Sequence, residues 1–111
     1  MRDGIYKVDF QSEKDAAKGI AMVRDGNFTG IDQTHVYFDK IEGQGGELSA
    51  QLNMLMYARA VTGMPEVFGM KTAPRLRLNV EGVDGRFVLS GASDAESRSR
   101  YEFKAEWVAE L

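Results

Sequence analysis

The chain carries one histidine, His35, the first residue to weigh for chemistry. An imidazole titrates near neutral pH and can orient a ligand or move a proton. A metal site needs several ligands, and no cluster of Asp, Glu or His at ligand spacing accompanies His35. On an alternating segment beside Tyr37, its expected place is an exposed structural one. Nucleophilic catalysis by serine needs a strained turn of the G-x-S-x-G kind. No such turn is present, and Ser90-Gly91 lies inside a strand pattern. The carboxylates Asp3, Asp9, Asp32 and Glu47 could meet at a barrel mouth and do acid–base work, but solvated loop positions are the plainer expectation. The glycine clusters at Gly43 to Gly46 and Gly82 to Gly85 neither open a helix nor carry a P-loop lysine, so they are no phosphate cradle. Absence of cysteine removes disulfides, thiolate nucleophiles and Cys-based zinc. The sequence therefore predicts a protein that is not an enzyme, with no metal and no cofactor.

The elements that position these residues are read from a two-residue period. Between Glu47 and Thr62, apolar Leu48, Ala50, Leu52, Met54, Met56, Ala58 and Ala60 alternate with Ser49, Gln51, Asn53, Leu55, Tyr57 and Arg59. That period places one set on a buried sheet face and the other outside. Leu48, Leu52, Leu55 and Arg59 also suit a helix, and Ala, Leu, Met and Gln are good helix formers; the alternation is the stronger signal. The same period marks strands over 4–11, 17–24, 27–31, 34–39, 74–81, 87–91 and 101–110. Asp25-Gly26 and Asp84-Gly85 are hairpin turns, because a type I′ turn needs positive φ at both central residues. Gly19 and Gly30, inside strands, mark bulges or close backbone approach. Gly63-Met64-Pro65 ends the fifth strand, and residues 66–73 are irregular or a single helical turn.

Eight strands with short connections predict an all-β, up-and-down, lipocalin-like barrel, one domain over residues 1–111. Closure removes exposed edges. An eight-stranded barrel is filled by side chains or holds one small ligand. Candidate lining residues are Tyr6, Phe10, Phe87, Phe103 and Trp107. On the outer face, Leu55 and Tyr57 stand where polar residues belong. With Arg59 they are the candidate dimer or partner interface.

Composition narrows the class. The chain has 111 residues, 43% of them hydrophobic and 28% charged, with net charge −3. Cations and carboxylates are interspersed, and the alternating pairs Arg75/Arg77 and Arg98/Arg100 read as solvated faces. Direct nucleic-acid binding, which favours a concentrated basic stripe, is not expected. The first residues hold no apolar segment of the kind a signal peptide needs, and no apolar run has the length of a membrane span. A soluble cytoplasmic protein without membrane contact is the expectation.

Asp3-Gly4-Ile5-Tyr6, Gly19-Ile20, Gly26-Asn27, Thr29-Gly30-Ile31-Asp32 and Tyr37 together resemble the GrlR family. These are bacterial negative regulators associated with type III secretion. The resemblance covers residues 3–38 and is topological beyond them. It implies an eight-stranded, lipocalin-like barrel that forms a homodimer and acts by binding a protein partner such as a transcriptional regulator. The family's best-known member carries a run of alternating Glu and Asp in the loop after its fourth strand. Residues 39–47 here read DKIEGQGGE, so the acidic run is replaced by glycines and a lysine. Two functions follow as expectations: a regulatory barrel working by protein–protein contact, or a barrel binding an apolar, lipid-like small molecule.

Overall fold

A computed structural model of the chain describes residues 2–12, 16–44, 47–57, 75–83, 85–93 and 100–111. The strands are β1 (Gly4–Ser12), β2 (Ala16–Arg24), β3 (Asn27–Ile31), β4 (His35–Gln44), β5 (Glu47–Met56), β6 (Arg75–Val83), β7 (Arg86–Ser93) and β8 (Arg100–Ala109). Each pairs antiparallel with the next, and β8 returns to β1, so the eight form a closed up-and-down barrel. Residues 47–56 are strand and not helix. Ala58, Arg59, Ala60 and the expected turn of helix within 66–73 lie outside the described residues. Strand β4 runs to Gln44, further than the sequence pattern indicates.

Alternation is the cause of the barrel. In β1, Tyr6, Val8 and Phe10 are buried while Lys7 and Asp9 are exposed. In β5, Ala50, Leu52 and Met54 are buried. In β8, Tyr101, Phe103 and Ala105 point inward and Lys104 outward. Because the side-chain period is two, a slip of one residue would turn every strand inside out. The β2–β3 hairpin is set by Asp25 at φ 52° and Gly26 at φ 80°, the left-handed pair that a type I′ turn requires.

The interior is an aromatic stack. Phe10 lies with its ring centroid 4.9 Å from Tyr37 and 4.9 Å from Phe103. Tyr37 and Phe103 are 6.2 Å apart, edge to face. Such rings gain about 0.5–1.5 kcal/mol per pair beyond the area they bury. Glycine makes room for them. A Cβ on Gly19 would sit 2.6 Å from Phe10 Cε2 and collide with the Ile31 carbonyl, which explains a glycine in mid-strand.

Gly82 is the second such position. At φ +134°, a side chain there would be driven into the Arg86 carbonyl. Gly82→Ala is expected to destabilise the barrel by about 2 kcal/mol or more. Phe10→Ala should cost about 3–5 kcal/mol by removing the ring shared by two aromatic pairs. Urea unfolding followed by far-UV circular dichroism measures both.

Candidate functional site

Two of the sequence's candidates, Asp32 and His35, are built into the frame. Asp32, expected at a solvated mouth, is the keystone of the β3–β4 corner. Its Oδ1 accepts from the Thr34 amide at 2.7 Å, the His35 amide at 2.7 Å and Thr34 Oγ1 at 3.3 Å. Thr34 Oγ1 is also 2.8 Å from His35 Nδ1. The exposed position expected for His35 is wrong: its side chain is 1% exposed. The reason is register. Strand β4 turns Tyr37 inward opposite Gly30, and His35 shares that face two residues earlier. Carboxylate, hydroxyl and imidazole form a chain like a proton relay, but burial of the imidazole keeps a substrate from it.

Nor do the other carboxylates join Asp32. Asp3 precedes β1 at the barrel end that holds the Asp25-Gly26 turn, where its Oδ1 accepts from the Asp25 amide at 3.1 Å. Asp32 follows β3 at the opposite end. Asp9 is on the outer wall, in a groove of about 570 Å³ with Lys7, Glu81, Arg86, Lys104 and Glu106. The side chain of Glu47 lies outside the described residues. Antiparallel connectivity separates Asp3 from Asp32 by the barrel's length, so a shared mouth is not formed. Among the described residues, no three side chains of His, Asp or Glu gather as metal ligands.

Tyr57 is tied to the same corner. Its amide donates to the Thr34 carbonyl at 2.8 Å and its hydroxyl to the Asp32 carbonyl at 2.6 Å. Tyr37, buried beneath, has its phenol pKa pushed far up, first by burial and then by the negative charge of nearby Asp32.

Of the candidate lining residues, Tyr6, Phe10, Phe87 and Phe103 are all buried in the core. Phe10 and Phe103 face each other, and Tyr6 meets Phe87 edge to face at 6.3 Å. Trp107, on the same face of β8 as Phe103, is half-buried and packs against this core at the barrel end that holds Arg2 and Asp3. The Arg2 guanidinium lies 3.9 Å above its ring and its Nε1 donates to the Asp3 carbonyl at 3.2 Å. The Tyr6 hydroxyl donates to the Arg2 carbonyl, so residues 2 and 3 lie as a cap over this end.

The outer wall is divided. One register row reads Arg86–Glu106–Lys7–Ile20–Ile31–Val36–Leu55 from β7 through β8 and β1 to β5. Its first part is ionic, with Lys7 and Arg86 at 3.6 and 4.0 Å from Glu106. From β2 onward it is apolar. The next row adds Met22 and Phe38, flanking Thr29. Ile20, Met22, Ile31, Phe38, Leu55 and Tyr57 are each between 47% and 57% exposed. With strands ~4.8 Å apart and same-face neighbours ~6.8 Å apart, these six side chains cover on the order of 200 Å² of the wall. What sets the six apart from singly exposed apolar residues is that they adjoin on neighbouring strands. Leu55 and Tyr57 were legible as outer apolar residues. Ile20, Met22, Ile31 and Phe38 were missed, although each occupies an alternate position in its strand, because their adjacency is a matter of pairing.

No protein-family model matches the chain, and no curated protein matches it.

Two outcomes are expected. Asp32→Ala leaves buried Thr34 and His35 amides without their acceptor and should cost about 2–4 kcal/mol. A tyrosine whose folded pKa is raised keeps its proton where the unfolded chain has lost it. Its contribution is complete below about pH 10 and is lost as pH rises further. Stability should therefore fall above about pH 10, and Tyr37→Phe should flatten that fall, as read by denaturant unfolding across alkaline pH.

Proposed function

We propose that this protein is a non-enzymatic binding barrel that acts by protein–protein contact, through the outer face of β2–β5, in the manner of the GrlR-like regulators its first strands resemble. The observation that carries this reading is the apolar half of the wall. Burying it removes water from six half-exposed side chains, at about 25 cal/mol per Å² of apolar surface. Its extent, on the order of 200 Å², suits the centre of an interface of about 800 Å² per partner, with a larger surround supplying the rest. A second copy of the chain is the proposed first occupant, as the resemblance implies. Because residues 39–47 lack the acidic run, a particular activator partner is not carried over.

The apolar-ligand reading has less support. Aromatic rings meet across the interior at 4.9 Å, and the grooves described on the molecule are lined largely by outward-facing side chains. Titration with a fatty acid should leave Trp107 emission unchanged; a saturable shift would establish an internal ligand site.

Sedimentation velocity is the test of the proposed face. The wild-type chain should self-associate. Leu55→Glu, a charge placed in the apolar face, should weaken association at least about tenfold, or about 1.4 kcal/mol. Because Leu55 is 54% exposed, the fold of the variant should be within about 0.5 kcal/mol of wild type. A wild type that stays monomeric, with Leu55→Glu indistinguishable from it, would remove the proposal.

A further inference from the structure

Beside the apolar face runs a second row, Arg24–Asn27–Lys40–Gln51–Arg77–Ala92–Arg100. The link from Lys40 to Gln51 follows from the pairs on either side, Phe38 with Asn53 and Ile41 with Ala50. Every residue in it is exposed except Ala92, which is half-buried. Cations occupy β2, β4, β6 and β8, and the strands between supply Asn27, Gln51 and Ala92. No carboxylate interrupts the row, in a chain whose net charge is −3. Glu42 and Glu102 take positions in the next row, where Glu102 pairs with Lys104 at 3.6 Å. Around Gln51 the wall is concave: a groove of about 440 Å³ is lined by Lys40, Ser49, Gln51, Arg77 and Asn79.

The spacing selects a ligand. Cations on alternate strands recur about every 9.6 Å. A polyproline II chain has three residues per turn and advances about 9.3 Å per turn, so an acidic residue at every third position meets one cation after another. Curvature selects it too. The row passes over seven of the eight strands of a closed barrel, so its ends face in different directions. A flat anionic membrane or a straight duplex touches only part of it, whereas a flexible chain follows it round. Single-stranded nucleic acid is held by cations alternating with aromatic stacking platforms. Here the intervening residues are two amides and an alanine, and the amides of Asn27 and Gln51 suit peptide groups, which both donate and accept hydrogen bonds.

We propose that this row is a binding track for an extended acidic polypeptide segment, with the Lys40–Gln51–Arg77 groove as its central carboxylate seat. It lies beside the apolar face and does not depend on that face being an interface.

The test is fluorescence anisotropy with a fluorescein-labelled peptide of repeating Pro-Pro-Glu. Wild-type protein should bind it, and added salt should weaken binding, because exposed charges are screened. Lys40→Gln combined with Arg77→Gln should lose about tenfold or more in affinity, since charge-assisted hydrogen bonds are replaced by neutral ones. Leu55→Glu should bind as wild type does, which separates this track from the apolar face. The inference is overturned if Pro-Pro-Gln binds equally, if a Pro-Glu repeat of the same charge binds as tightly, or if the double variant keeps its affinity. Tighter binding to a single-stranded oligonucleotide or to phosphatidylglycerol vesicles would also overturn it.

Discussion

Hydrogen bonding of β8 back onto β1 is the constraint on which the other features depend. It leaves no strand edge, so every strand has hydrogen-bonded neighbours on both sides that fix its register. With that register set, alternate side chains either meet inside or stand in rows outside. The aromatic contacts of Phe10, Tyr37 and Phe103 require β1, β4 and β8 to curve toward one another, which only a closed wall does. The irregularity between Ile5 and Tyr6 in that same pairing accompanies the descent of residues 2–4 over Trp107.

Closure has a consequence for function. Among the described residues, Asp32, Thr34, His35 and Tyr57 hold one end of the barrel together. Asp32 organises a corner through backbone amides, Thr34 and His35 extend it, and Tyr57 fastens it to the end of β5. At the other end, Arg2, Asp3 and Trp107 are engaged with one another. The outer wall carries side chains that are individually ordinary. Their meaning comes from neighbours: an isoleucine at one register height beside another isoleucine, a valine and a leucine; a cation on every second strand.

Strand positions were legible because a sheet with one wet face imposes a two-residue period on local sequence. The Asp25-Gly26 hairpin was legible for an equally local reason, the need for positive φ at both positions. Leu55 and Tyr57 could be placed outside because they break the polar half of their own strand's pattern. His35 could not be placed. The alternation of Val36 and Phe38 with His35 and Tyr37 says that two faces exist, but both pairs are mixed enough in polarity to be either. The tertiary register resolved it, by setting Tyr37 opposite Gly30 and giving the histidine a hydroxyl partner. Whether Asp3 and Asp32 could meet was open in the sequence, because strand direction alone decides which loops share an end.

By itself, the sequence determined that the chain would form strands, where most of them would run, which side chains in β1, β5 and β8 would be buried, and that a barrel was the economical way to remove its edges. These are consequences of local periodicity and turn chemistry. Only the tertiary structure decided which residues of different strands stand side by side. Arg24, Lys40, Arg77 and Arg100 are spread over 77 positions of the chain, yet share one row; Ile20, Ile31, Val36 and Leu55 share another. Neighbourhood across a sheet is set by register, and register is a property of the closed barrel as a whole, not of any segment within it.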